Sequence, residues 1–547
     1  MPQEPEDYTS VDSEEVGEVD PQVMNAAVVD EFDVSSTSDK LLDRLLYKGV
    51  LPRYAFPTDV VTFHVFDLDK SNSYQHAFEF TPSQSLAMAL TQYAPGKRIW
   101  VGGKEFVSGA LYSVKRSERF DAWRKRKLYF ECSICRYALT AELGAAQRGE
   151  RRDCPACGGK ETFGPARTWL RPPGFAHPIG INPGTAADER STRSYATRAK
   201  LDAPASAEDG QWIAINERVK FTMLRKPLLV TNRGPREDGY TYCTRCGLIE
   251  PTALRNSSLK GSHAKPYPDA KEPLCPGGQI ATGLALGTDF ITDVLLIALR
   301  VDPPLRLLPG DLATDVALRT LSEALAKAAC QAMEIEETEL QAEFRPALTD
   351  DGKLGIEAEI YLYDTLPGGA GFAGQAGTMG SELLTRALQI LSECPAACDR
   401  SCYRCLRSYK NKFEHELIDR HVGAALVRYL IDGTLPAWPE GRSALTLDIL
   451  FEDLVRQGTA GVAYEKRQVL DVLGLGSVLA PILATRTNGE VAIIDLSRPL
   501  AVGEPNEQAL RELKEFGVPP VLVVDELLIR RNLPRATTSV LSRLGLE

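Results

Sequence analysis

Eleven of the twelve cysteines in this chain of 547 residues fall into three groups whose spacing suits a metal ion. Cys394, Cys398, Cys402 and Cys405 follow one another as C-x3-C-x3-C-x2-C, so one short loop can aim four sulfurs at a point. Soft thiolates about 2.3 Å from a tetrahedral zinc are the matching chemistry. Cys132 and Cys135, then eighteen residues, then Cys154 and Cys157 have the two-knuckle spacing of a zinc ribbon. Gly158 stands behind the second knuckle, where the backbone turns left-handed, whereas Arg136 stands behind the first. Cys243 and Cys246, followed by Gly247, extend to His263 and Cys275 as C-x2-C-x16-H-x11-C. Up to three zinc ions are expected. Four protein ligands leave no open position, so these sites read as structural rather than catalytic. A zinc held by four thiolates carries a net charge of about −2 and calls for cations or amide donors; Arg400, Arg404, Arg407 and Lys410 are near in sequence.

Basic residues adjoin two of these groups. Residues 115–127 hold seven basic and two acidic side chains with Phe120 and Trp123, and Arg124, Lys125, Arg126 and Lys127 lead directly into the ribbon. Arg404, Arg407, Lys410 and Lys412 lie in and after the four-cysteine loop. Both runs are candidates for sequence-independent phosphate contacts, with the aromatics available for base stacking. A solvated basic face is the plainer alternative for 115–127.

Catalytic patterns are scarce. PGGAG at 367–371 follows a strand and precedes a helix, a setting in which successive N–H groups make an anion nest. No G-x-x-x-x-G-K-[ST] occurs, so these residues encode no nucleotide-driven motor and the expectation is a protein that is not an enzyme. Asp495 and Asp525 end strands, as nuclease carboxylates do, but Leu-Ser-Arg follows Asp495 where an acid-x-Lys pair would be needed. The last hundred residues therefore read as a docking domain, with a metal-dependent nuclease as the alternative. His64, His76, His415, His421 and Cys330 read as structural.

The elements that position these residues follow from charge and periodicity. Residues 1–40 carry twelve acidic side chains and one basic, the whole of the net charge of −11, so the rest is close to neutral. Without apolar periodicity, 1–39 reads as a disordered acidic tail. It has neither the basic nor the apolar region of a secretory signal, and no apolar run reaches the length of a membrane span. A cytoplasmic location follows, where thiols stay reduced. A short helix is expected over 40–52, a strand in DVVTFHVFDL and a hairpin turning at Gly102-Gly103. Strand pieces QWIAINERVKF and KPLLVTN, a buried strand TDFITDVLLIALRV, a helix from 311 to 335 and a strand ending at Asp364 come next. A Pro/Gly linker at 433–442 precedes a helix–strand–helix–strand–helix series. The fold class is α+β and multidomain: zinc-ribbon-like modules among mixed α/β elements, with a small C-terminal α/β domain. The divisions are 1–39 tail, 40–128 mixed α/β, 129–165 zinc ribbon, 166–240 β-rich connector, 241–287 second zinc module, 288–432 with the four-cysteine loop, and 443–547 C-terminal domain.

FPTDVV (56–61), QYAPGKRIWVGGKEFVSGAL (92–111), TDVLLIALR (292–300), YDTLPGGAGFA (363–373) and the cysteine loop ending in CLRSYKN together resemble the MrfA-like zinc-binding domain family. A motor-free chain of this length is similar to the helicase-partner subunits of the DISARM phage-defence system. The resemblance implies a cytosolic defence protein that pairs with a DrmA-like helicase in a heteromeric complex and helps it engage DNA. It implies Cys394, Cys398, Cys402 and Cys405 as zinc ligands and supplies no catalytic residue. A purely protein-binding adaptor is the third reading.

Overall fold

Strand Ile280–Arg300 is the spine of the fold, and the expected buried strand is its C-terminal half. On one side it pairs antiparallel with Val219–Asn232 from Val219↔Leu299 to Asn232↔Leu286. On the other it pairs antiparallel with Leu354–Asp364, which pairs in turn with Leu340–Leu348. Alternation along the spine feeds two cores: Leu295, Ile297 and Leu299 face one apolar cluster, Val294 and Leu296 the other. Val219–Asn232 is one strand, where two pieces were expected; Pro227, which makes the sequence read as broken, sits in register opposite Ile291.

The computed structural model describes residues 59–545 except 73–74, 185–193, 203–210, 253–256, 349–353, 438–440, 459–460, 498, 502 and 506. The expected acidic tail and the helix over 40–52 lie outside the described residues.

The spine also runs parallel to Arg167–Leu170, through which the ribbon strands Lys127–Glu131 and Ala138–Ala141 join the same sheet. Segments expected as ribbon, connector and zinc-binding domain thus share one sheet of eleven strands among the described residues. Helix Leu312–Met333 packs on this sheet and buries Val316, Leu321, Leu325 and Cys330 at helical spacing. Helices Ser381–Ser392 and Arg420–Asp432 pack against it through Leu384, Leu391, Val422 and Leu426. The hairpin Arg98–Val101/Lys104–Val107 turns at Gly102 and Gly103, both at positive φ, as expected.

The C-terminal region holds more than was expected. After helix Arg442–Gln457 comes an antiparallel hairpin, Val462–Val472 with Gly476–Arg486. Strand Val491–Ser497 continues the sheet antiparallel, and Val521–Asp525 joins it parallel after the crossover helix Gln508–Phe516. Helices Glu526–Arg531 and Leu533–Arg543 close the region. The first hairpin strand is mostly solvent-exposed, so its sequence carries no strong apolar signal.

Candidate metal centres and nucleic-acid surface

Each expected metal set converges. One ligand atom from each of Cys132, Cys135, Cys154 and Cys157 lies within 4.8 Å of the others, and the same holds for Cys243, Cys246, His263 and Cys275, and for Cys394, Cys398, Cys402 and Cys405. Ligands about 2.3 Å from a tetrahedral centre are about 3.8 Å apart. The Sγ separations match: Cys132–Cys157 3.7 Å, Cys135–Cys154 3.6 Å, Cys243–Cys275 3.8 Å, Cys394–Cys402 3.6 Å and Cys398–Cys405 3.7 Å. His263 Nε2 is 3.3 Å from Cys246 Sγ, while its Nδ1–H donates to the Gly261 carbonyl at 2.9 Å. That bond fixes the tautomer that turns the Nε2 lone pair towards the metal. The chain binds zinc at these three sites.

Local backbone explains the knuckles. Gly158 and Gly247 adopt φ +66° and +84°, and Arg136 takes the same left-handed position at φ +61°. Main-chain amides and one hydroxyl reach the sulfurs: Ile134 N lies 3.4 Å and Thr162 Oγ1 3.3 Å from Cys132 Sγ, and Cys402 N lies 3.1 Å from Cys405 Sγ. Arginines of the four-cysteine loop and of the helix after it tie the loop to itself and to its neighbours. Arg420 Nε donates to the Cys398 carbonyl, Arg400 Nη2 to that of Glu416, and Arg407 Nε to Ser401 Oγ. Buried Cys405 and Leu406 root the loop in the core beside helix Leu312–Met333.

The glycine turn is a nest, and it is occupied by the protein itself. The N–H groups of Ala370, Gly371, Phe372 and Ala373 all donate to the buried Asp364 carboxylate, at 2.6, 2.7, 3.2 and 2.8 Å. Gly369 has φ +77°, and a Cβ there would stand 2.1 Å from Asp293 Oδ2. The helix after the turn is two helices, Phe372–Thr378 and Ser381–Ser392, broken at Gly380.

The candidate DNA-contacting side chains divide. Arg124 and Lys125 are exposed at the end of helix Arg116–Arg124. Arg126 stacks 4.3 Å over Trp123 and donates to its carbonyl, and Lys127 pairs with Glu142 and Asp289. Trp123 packs against Tyr242, so it is not a free stacking surface. In the second run Arg404 is exposed, Arg407 is engaged as above, Lys410 Nζ donates to the Glu337 carbonyl, and Lys412 Nζ lies 3.9 Å over the Tyr409 ring. A charge-only reading of the sequence missed the exposed aromatics Tyr403, Tyr409 and Phe413; the signal available was their interleaving with Arg404 and Lys412.

The last region is docked by buried charge. Arg442, in its first helix, pairs with Asp419 at 3.3 Å and Glu526 at 3.1 Å, and Arg530 donates to Asp399 of the four-cysteine loop at 3.0 Å. Asp525 caps helix Glu526–Arg531 by accepting from Leu527 N at 2.9 Å. Among the described residues, neither Asp495 nor Asp525 joins a cluster of metal-ligating side chains like the three above. No helix among the described residues is long and apolar enough to cross a membrane.

Residues 321–406 match the model of the MrfA Zn-binding domain. The chain is 30% identical over 559 aligned positions to Druantia protein DruE of Escherichia coli (strain UMEA 4076-1), which covers 96% of this chain and 29% of DruE. Its fold also aligns with crystal structures of the DUF1998 helicase MrfA at 11% identity. For MrfA bound to DNA the TM-score is 0.30, over 72% of this chain and 38% of that one; for MrfA bound to DNA and AMPPNP it is 0.23, over 66% and 31%. The chain therefore carries an MrfA-type zinc-binding domain and is related to DruE, of which it spans 29%. These findings overturn the expectation of a protein that is not an enzyme. The chain spans 29% of DruE, so a missing Walker motif in these residues does not decide whether the protein is an enzyme.

Proposed function

We propose that this chain is the zinc-braced, DNA-engaging part of a helicase-like enzyme of phage defence. The observation that carries the reading is the four-cysteine loop of the MrfA-type domain. Its sulfurs meet at one point while Tyr403 and Arg404, between the third and fourth ligands, face solvent. A closed tetrahedral site does no chemistry of its own, but it fixes the loop that presents those side chains to a nucleic acid. The contacts are of the phosphate-tracking kind, sequence-independent and weakened by salt.

Within this reading the ATP-driven step belongs to a helicase motor that works with the residues described here. The DISARM-type arrangement, with a DrmB-like subunit bound to a DrmA-like helicase, is its finer form and rests on the sequence resemblance alone. The similarity to DruE supports the broader phage-defence reading. Salt-titrated DNA binding by the purified chain tests the proposal, with Arg404→Glu as the variant. A parent that binds no DNA at low salt, or a variant that binds like the parent with an unchanged salt slope, counts against it.

A further inference from the structure

Four aromatic rings stand in solvent beside the four-cysteine loop: Tyr409 is 77% exposed, Tyr403 68%, Phe413 61% and Tyr195 43%. They are not scattered. Tyr195 and Phe413, over two hundred residues apart in sequence, lie with ring centroids 4.3 Å apart. Lys412 Nζ sits 3.9 Å from the Tyr409 centroid and 5.0 Å from that of Phe413, and Lys97 Nζ sits 4.4 Å from that of Tyr195. Three separate parts of the chain thus build one ladder of rings and ammonium groups, in the order Lys97, Tyr195, Phe413, Lys412, Tyr409, with the Tyr195 and Phe413 rings side by side at its centre. Tyr403 meets His415, which belongs to the turn that carries Phe413, edge-on at 5.5 Å.

The ladder is presented rigidly. Asn411, between Tyr409 and Phe413, is 1% exposed; its amide donates to Glu323 and to the Leu406 carbonyl, and its oxygen accepts from Ser408 N. A fixed turn that holds rings in water has its ordering cost met before any ligand arrives. The two ammonium groups are close enough to affect one another: burial first, then the charge of Lys412, lowers the Lys97 pKa. An anion between them relieves that repulsion.

Resting on the DNA-engaging role proposed above, we infer that this ladder is a stacking platform for single-stranded DNA. Single strands offer bases and phosphates in alternation, and exposed bases stack on aromatic rings whatever their identity. Duplex bases are already stacked inside the helix, and duplex phosphates alone have no use for four exposed rings.

The test uses the full chain, with a labelled oligo(dT), a blunt duplex of equal length and an oligo(U). The Tyr409→Ala/Phe413→Ala variant is expected to lose roughly tenfold or more in oligo(dT) affinity. Its duplex binding and its three zinc ions are retained, and Tyr409→Phe binds oligo(dT) like the parent. The inference is overturned if the double variant binds oligo(dT) unchanged, if oligo(dT) and duplex affinity fall in parallel, or if oligo(U) is preferred. A parent that binds neither strand nor duplex overturns the DNA-engaging role as well, so the two failures are told apart.

Discussion

Gly371 N donates to Asp364 Oδ2 at 2.7 Å, and the same carboxylate accepts from Ala370, Phe372 and Ala373. The glycine turn is therefore a closed anion nest, satisfied by the residue that ends the preceding strand rather than by a phosphate. Its work is to fix where the strand Leu354–Asp364 hands over to the helices that carry the four-cysteine loop. Replacing Asp364 by Ala leaves four donors without their acceptor, at a cost of about 3 kcal/mol or more. Urea unfolding of Asp364→Ala should show that loss. A midpoint equal to the parent's would show that the nest is filled from elsewhere.

The three metal sites share no ligand and are built on different parts of the chain. Cys402→Ser should lower bound zinc from three to two per chain and loosen the four-cysteine loop, leaving the ribbon intact. His263→Ala should remove one ion in the same way, because the Nε2 beside Cys246 completes the second site. Atomic emission on purified variants checks both. Retention of three ions by His263→Ala would assign the fourth position to another ligand.

Much of the site was legible because metal coordination is local in sequence. A knuckle needs two ligands at fixed spacing and a left-handed residue behind them, and Cys154, Cys157 and Gly158 show all three. The sheet was less legible. Pro227 looks like a break and is tolerated inside a fourteen-residue strand, and the register that joins the ribbon to the spine depends on long-range pairing through Arg167–Leu170. The hairpin after residue 461 was missed because the run Glu465-Lys466-Arg467-Gln468 interrupts the apolar residues of its first strand, of which Val462, Tyr464, Leu470 and Val472 are only partly buried. Charge runs were the weakest guide. Lys127 and Lys410 look free in sequence, yet they are tied to Asp289 and to the Glu337 carbonyl in the fold.

That division of the basic runs gives a graded expectation. Arg124→Glu with Lys125→Glu alters exposed charge beside the ribbon and breaks only the exposed Arg124–Asp121 pair, whereas changes at Arg126 and Lys127 disturb a ring contact and half-buried ion pairs. If both exposed residues touch phosphates, the slope of log affinity against log salt falls by roughly two for duplex DNA. The Lys127→Ala variant should instead act on stability, by under about 1 kcal/mol, as one pair in a partly exposed setting. Filter binding across a salt series, run beside thermal unfolding, separates the two effects. An unchanged slope in the Arg124/Lys125 double variant removes that patch from the interface.

Asp525 carries a pH signature. Burial, reinforced by the charges of Asp311 and Glu526, pushes its carboxyl up to about 6, although its bond from Leu527 N and nearby Arg531 pull the other way. An unfolded Asp titrates near about 3.9. The folded chain therefore binds this proton more tightly, and the stability it supplies is fully present below the unfolded value and lost as pH rises through 6. Above that pH the buried carboxylate costs about 3 kcal/mol. Asn at this position keeps a side-chain oxygen to cap Leu527 and carries no charge to bury. Asp525→Asn should thus unfold at higher urea than the parent at pH 8, with the gap narrowing by roughly a third as pH falls to 5.5, a range in which the thiolate sites still hold metal. A gap that stays constant with pH would mean that Asp525 is solvated in the folded chain and contributes only as a cap.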